Sequence, residues 1–429
     1  MSIGIEIIVF ALFGFSLGVL SGLTPGLHVN SLAFLLAAGA TSFMGLFPPE
    51  VLGVAMVSAA VTHTFLDIIP SIVLGVPDES MALTALPGHR LVLDGKGNEA
   101  IRLSASGSML AVALSFVIAL PLTLIMVKAY GSLLDENPAN MALLLSGVVL
   151  FLLVTERAPR PGYIAGIRHR FMAVVVLVAS GLLGYYTLTH EEVATALVGE
   201  PNLLMPLFTG LFGVPILAVS AFQNSRIPEQ IDSDVLFSRL DVTKSAVDGG
   251  IAGAIVGWIP GMSSAVAATL VQTFMPGSET EEKSMRSFIV AVSGVNTSNA
   301  IFALFALYFI QRSRTGVMVA LSDIGVKITV TTLFSYLVAI GLVSLLAFVA
   351  TITIGRYSFR FVNSVDYRLL SLCIMVLLVI LTLVFSGVPG IPVLVAGTVI
   401  GLVPNYTRIK RVHCMGCLLL PLIYFYLTF

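Results

Sequence analysis

Charge is scarce in this sequence. Asp, Glu, Lys and Arg make up 10% of its 429 residues, against roughly a quarter in ordinary soluble domains. The net charge is −1 with no basic stripe or tail, which excludes nucleic acid as a partner. Cysteine is sparse too: Cys373, Cys414 and Cys417 are too few for a disulfide framework. The His413-Cys414-Met415-Gly416-Cys417 run has no second ligand pair with which to complete a structural zinc site. Catalytic signatures are missing as well. There is no His-Glu-x-x-His or Gly-x-Ser-x-Gly motif, and Gly95-Lys96-Gly97 lacks the frame of a phosphate-binding P-loop. No ATPase motor, metal or cofactor is therefore expected, and an enzyme is not the expected class.

Apolar residues fill the space that charge leaves, at 57% of the chain. Runs such as Met141 to Val154, Phe171 to Leu188, Ile328 to Ile354 and Leu369 to Phe385 have the length that about 20 residues at ~1.5 Å each need to cross a ~30 Å hydrocarbon core. The expected fold is all-α, a multi-pass protein of the cell membrane with the lipid bilayer as its surroundings. The apolar start has no Lys or Arg before it, unlike a cleaved signal peptide, and reads as the first membrane helix.

An internal repeat organises the chain. Gly14, Gly18, Gly22, Pro25 and Gly26 recur as Gly249, Gly253, Gly257, Pro260 and Gly261, each 235 residues later (249 − 14 = 235; 261 − 26 = 235). The same displacement pairs Ala33 with Ala268, Ser58 with Ser293 and Thr62 with Thr297. Each half reads as a hairpin broken at Pro-Gly followed by about five spans. The first hairpin is Ile5 to Phe43, with spans near 50–76, 101–127, 139–154, 171–188 and 203–222; the second is Ser245 to Phe274, with spans near 287–311, 324–354, 367–386, 389–404 and 412–428. The halves divide as 1–235, including the start of a cytoplasmic linker at 223–244, and 236–429.

Lys and Arg in short loops mark the cytoplasmic side. The loops carrying Arg90, Lys96 and Arg102, then Arg157, Arg160, Arg168 and Arg170, then Arg226, Arg239 and Lys244 are two spans apart and share one side, as do those of Arg356, Arg360 and Arg368 and of Arg408, Lys410 and Arg411. Lys128, Arg312 and Arg314 fall on the other side. An odd number of crossings per half inverts the second half relative to the first, the plan of many secondary transporters. Arms of about 14 residues make the second hairpin short for two crossings and predict a re-entrant loop.

Broken helices at membrane depth are tolerated where they line protein or a wet cavity. The segments after the breaks, with His28, Asn30 and Ser31 in one half and Ser263 and Ser264 in the other, place helix N-termini where an anion such as a carboxylate is favoured. With Pro25, Gly26, Pro260 and Gly261 they form the candidate substrate site, joined by Asn296, Thr297, Ser298 and Asn299. Thr62, His63, Thr64 and Asp67 are the candidate coupling-ion group, for Na+ or H+. Each has a blander reading: Asp67 as an interface helix cap, His63 and His28 as ordinary hydrogen-bonding residues, and the glycines as a smooth face for close helix packing.

The chain resembles the large membrane subunit of tripartite tricarboxylate transporters, the TctA-like permeases. The likeness rests on Gly18-x3-Gly22-Leu23-Thr24-Pro25-Gly26-Leu27, Ile72-Val73-Leu74-Gly75-Val76-Pro77, Gly95-Lys96-Gly97-Asn98-Glu99-Ala100, Gly257-Trp258-Ile259-Pro260-Gly261 and Asn296-Thr297-Ser298-Asn299-Ala300. It implies ion-driven uptake of di- or tricarboxylates, with a small membrane subunit and an extracytoplasmic solute-binding protein as partners. The chain departs from the family pattern around Thr62 to Asp67 and after the second motif. The alternative is a translocase of a lipid-linked phosphate, which half-helix N-termini would hold equally well.

Overall fold

The computed structural model describes every residue except 1–2, 25–28, 31, 34–35, 38–46, 74–84, 132–136, 157–162, 198–202, 223–227, 232–236, 260–261, 263, 275–279, 363–366 and 429. All regular structure among the described residues is helical. The first half contains α1 (Ile3–Leu23), α2 (Pro49–Leu66), α3 (Ile68–Val73), α4 (Ala85–Leu93), α5 (Gly97–Tyr130), α6 (Pro138–Val154), α7 (Tyr163–Thr189), α8 (Leu204–Phe208) and α9 (Val214–Phe222), the last two joined by a π-helical turn at Thr209–Gly213. The second half contains α10 (Arg239–Val256), α11 (Ser264–Phe274), α12 (Glu281–Ile310), α13 (Gly316–Asp323), α14 (Val330–Val362), α15 (Tyr367–Ser386), α16 (Gly390–Thr407) and α17 (Gly416–Thr428).

Eight of the described helical stretches are long and apolar enough to cross a membrane. Two stand apart. The apolar windows of Pro49–Val73 and Glu282–Ile310 are 100% and 89% buried, against 22–44% for the other six, so α2–α3 and α12 form the centre of the bundle and the rest surround them. Large apolar side chains such as Val117, Leu143, Leu182 and Leu345 are exposed on the surrounding helices, as a hydrocarbon environment requires.

The glycines explain how the centre is built. A Cβ added to Gly14 would lie 2.2 Å from the Ala55 carbonyl oxygen, and one at Gly18 would lie 2.7 Å from that of Ala59. In the second half, Gly249 meets the Ala291 oxygen at 2.0 Å and Gly253 that of Val295 at 2.2 Å. The glycine faces are thus packing faces, letting α1 lie against α2, and α10 against α12, at backbone contact. Both pairs run parallel, so the chain between their members has to come back to the end at which the first helix began. The partner residues differ by 236 (291 − 55 = 236; 295 − 59 = 236), whereas the glycines differ by 235. The pairing of Ser58 with Ser293 and Thr62 with Thr297 is therefore corrected by one residue.

Helix α10 has 18 residues, longer than the arm expected from sequence, while α11 has 11 and rises only about 16 Å, half of a hydrocarbon core. Both central helices pack against a long helix of the other chain half, α2 with α14 and α12 with α5. The α5 interface is zipped by Ser104 Oγ to Ser293 Oγ at 2.7 Å and Ser115 Oγ to Ser298 Oγ at 3.2 Å. On the α14 side, Thr351 Oγ1 donates to the Phe65 carbonyl at 3.1 Å.

One end of the bundle gathers charge. Arg286 grips Glu99 through Nε–Oε1 at 2.8 Å and Nη2–Oε2 at 3.1 Å, Lys96 pairs with Glu282, and Lys283 with Asp241 at 3.1 Å. Gln230 ties the linker to Gly97 N at 2.8 Å and the Val92 carbonyl at 3.0 Å. Helices α10 and α12 begin at this end. Helix α3 finishes against α4, where Gly88 abuts Ile72, so α2 runs toward the end from which α12 departs. At the far ends of α5 and α12, Arg314 donates to the Tyr130 hydroxyl at 2.6 Å and lies 5.0 Å over its ring. Of the three positive residues that departed from the loop count, Arg314 is thus held by an aromatic partner.

Candidate functional site

Pro70 determines where α2 breaks. It has no N–H for the Leu66 carbonyl and its ring crowds that group, so the helix stops at Leu66 and resumes as α3, with Asp67 at the junction. Thr351 supplies the hydroxyl that satisfies Phe65. The Asp67 backbone carbonyl accepts the Ser71 hydroxyl at 2.6 Å. The blander reading of Asp67 as a helix terminus is therefore correct for its backbone. Its side chain does something else.

Asn296 Nδ2 donates to Asp67 Oδ2 at 2.7 Å, and the Asn296 Oδ1 accepts from Ser264 Oγ at 3.2 Å. Asn299 Nδ2 in turn donates to Ser264 Oγ at 3.1 Å. Ser264 opens α11, directly after the second break. A chain Asp67–Asn296–Ser264–Asn299 thus joins the break in α2 to the N-terminus of α11, across residues that are 229 positions apart. Asp67 and Ser264 are 1% and 3% exposed. A carboxylate and carboxamides at such depth are costly unless bonded, and here they bond to one another.

The remaining predicted residues divide around this chain. Thr64 and Thr297 join hydroxyls at 3.0 Å, stitching α2 to α12. His63 Nδ1 lies 3.0 Å from Ser21 Oγ, in the last turn of α1. Ser298 faces away, donating to the Gly250 carbonyl at 2.7 Å, because consecutive residues of α12 point around the helix. Asn30 is engaged elsewhere: its Oδ1 accepts the Val317 N–H at 3.2 Å, at the start of α13. Thr62 Oγ1 and Ser58 Oγ are buried with no hydrogen-bond partner among the described residues. Pro25, Gly26, His28, Ser31, Pro260, Gly261 and Ser263 lie outside the described residues. Ser21 and Thr351 were not legible in the sequence, since a lone hydroxyl in an apolar helix carries no local signal.

The His413-Cys414 run is a packing hub: His413 Nε2 meets Glu156 Oε2 at 2.9 Å, Cys414 and Cys417 are buried, and the Cys417 carbonyl oxygen sits 1.9 Å from where a Cβ on Gly184 would be.

A multi-pass bundle with a chain of bonded polar groups at its two most buried helices has what a membrane transporter needs, wettable groups at the centre and lipid at the rim. The chain belongs to the tripartite tricarboxylate transporter TctA family, whose model matches residues 8–416. It is a transport protein of the membrane and not an enzyme. An uncharacterised protein of Methanocaldococcus jannaschii is 27% identical over 430 residues, covering 98% of this chain and 99% of that protein. No solved structure matches the chain.

Proposed function

We propose that the protein is an ion-coupled permease for a small organic anion, a di- or tricarboxylate, working by alternating access around two Pro-Gly hairpins. The observation that carries this reading is the chain Asp67–Asn296–Ser264–Asn299, which brings a broken helix, a central helix and the N-terminus of α11 together. The N-terminus of α11 offers unpaired N–H groups and a positive dipole end to a carboxylate, Ser264, Asn296 and Asn299 offer neutral ligands, and Asp67 takes the coupling Na+ or H+. His28 and Ser31, after the first break, complete the substrate side, with Thr62, His63 and Thr64 beside Asp67.

In this reading residues 1–235 and 236–429 are two repeats of opposite orientation, with the Lys96–Arg286 end in the cytoplasm. The opposed directions of α1–α2 and α10–α12, and the exchanged packing of each central helix on the other half's long helix, support it. A small membrane subunit and an extracytoplasmic solute-binding protein are the expected partners. Nothing in the fold or the family match favours a lipid-linked phosphate.

Counterflow of labelled citrate and other carboxylates into proteoliposomes tests the reading. Asn299→Ala and Asp67→Asn should lower flux at least about tenfold, the cost of one charge-assisted or buried hydrogen bond of ~1.5 kcal/mol or more, in protein that still purifies folded. No counterflow with any carboxylate, or unchanged flux in both variants, overturns it.

A further inference from the structure

Helix α7 enters the bundle through a charged turn. Arg168 and Arg170 are exposed, while His169 between them is buried, its Nε2 lying 3.1 Å from the Arg408 carbonyl oxygen at the end of α16. Successive side chains on a helix point about 100° apart, so the contact that turns His169 inward leaves an arginine on either side of it. Arg408 is itself exposed and ends α16 in the left-handed conformation, with φ 58°. One contact between residues 239 positions apart therefore gathers three arginines of two helices at one rim of the bundle, on the side that loop charge assigns to the cytoplasm.

Among the described residues, nothing neutralises the three. The carboxylate at this rim is Glu156, which is 3% exposed and committed inward: Oε2 meets His413 Nε2 at 2.9 Å, and Oε1 accepts the Lys410 N–H at 3.3 Å and lies 3.8 Å from His169 Nε2. The neighbouring cations have protein partners, Lys410 Nζ donating to the Thr155 carbonyl at 3.4 Å and Arg411 to the Asn405 carboxamide. Arg168, Arg170 and Arg408 make no ion pair among the described residues. Beside them the surface turns apolar. Phe171, Val175, Val178 and Leu182 recur on α7 at steps of three and four residues and are exposed, as are Val399 and Tyr406 on α16, the helix packed against it. Arg168 stands one turn before Phe171 at the head of that stripe.

We propose that the outer surface where α7 meets α16 binds an anionic phospholipid, its phosphate held by Arg168, Arg170 and Arg408 and its acyl chains laid along the stripe from Phe171 to Leu182. Guanidinium forks match pairs of phosphate oxygens, and their long stems carry the charge out to headgroup depth while the methylenes stay on apolar surface. A free anion would use the arginines alone, whereas an anionic lipid uses the arginines and the apolar stripe below them. The site rests on the cation cluster and on the membrane location, and it stands whichever solute the protein carries.

The test titrates the delipidated full chain, in neutral detergent, with phosphatidylglycerol or with phosphatidylcholine, and counts bound lipid by native mass spectrometry. Phosphatidylglycerol should bind at least about tenfold more tightly than phosphatidylcholine, the work of two or more arginines. Arg168→Gln, Arg170→Gln and Arg408→Gln should each weaken phosphatidylglycerol about fivefold, the share of one arginine at an anionic surface, and the corresponding Lys variants should keep more of the affinity because the charge remains. Arg239→Gln removes an equally exposed arginine at the start of α10, a helix packed on α5 and α12, and should leave binding as it was. Equal affinity for the two lipids overturns the site. So does phosphatidylglycerol binding that the three Gln variants leave unchanged, or that Arg239→Gln weakens as much as they do, since net charge and not this surface would then hold the lipid.

Discussion

Replacing Arg286 by Gln should be among the most damaging single changes in the protein that leave its binding groups untouched. The guanidinium is 5% exposed and the Glu99 carboxylate 0%, and the two parallel hydrogen bonds of 2.8 and 3.1 Å are the bidentate geometry in which Arg exceeds Lys. Removing the cation strands a buried carboxylate, which costs about 3–5 kcal/mol. Glu282, 2.9 Å from Arg286 Nη2 but 45% exposed, can turn to water and adds little. Removing both charges with Glu99→Gln and Arg286→Gln should cost less than either single change, because no charge is left buried alone. Arg286→Lys should recover part of the loss. Reversible unfolding of the detergent-solubilised protein for the four forms gives the coupling energy directly. A loss under about 1 kcal/mol for Arg286→Gln, the value of an exposed pair, would refute the reading of Glu99–Arg286 as a desolvated pair.

Other outcomes follow from the packing. Gly253→Val should abolish folded protein in the membrane, since even a Cβ would stand 2.2 Å from the Val295 carbonyl, whereas Gly147→Ala, with nothing within 4 Å, should be silent; size-exclusion profiles distinguish them. Thr351→Val leaves the Phe65 carbonyl without its hydroxyl donor and should cost about 0.6–1.7 kcal/mol in unfolding experiments. The Ser238 hydroxyl and then Lys283 hold the Asp241 carboxyl below the usual carboxylate range. A depressed folded value means the contact stabilises above the unfolded pKa and is lost as pH falls through the folded one. Protection against hydrogen exchange in the first turn of α10, taken relative to the intrinsic exchange rate at each pH, should therefore fall on acidification below about pH 4, and Asp241→Asn should remove that dependence.

The elements were legible because their signals are local. Hydropathy over 20 residues places the spans, and the ends of α1 at Leu23 and α10 at Val256 fall just before the Pro-Gly pairs that the sequence singles out. Polar runs at 62–67 and 296–299 stand out against apolar flanks for the same reason. Asn30 looked like its neighbours in the hairpin, yet its amide is committed to α13, and Ser298, one step along from Thr297, turns to Gly250 instead of the centre.

Sequence alone determined that this is a helical membrane protein, because bilayer thickness and backbone hydrogen bonding leave few alternatives for such a composition. Tertiary structure decided which polar groups meet. The bond between Asp67 and Asn296 spans 229 residues, and no local pattern encodes a distance of that kind. It also decided the register: the 235-residue repeat of the glycines becomes 236 in the helices they touch, because backbone contact along the glycine seam, and not sequence spacing, sets which residues face each other.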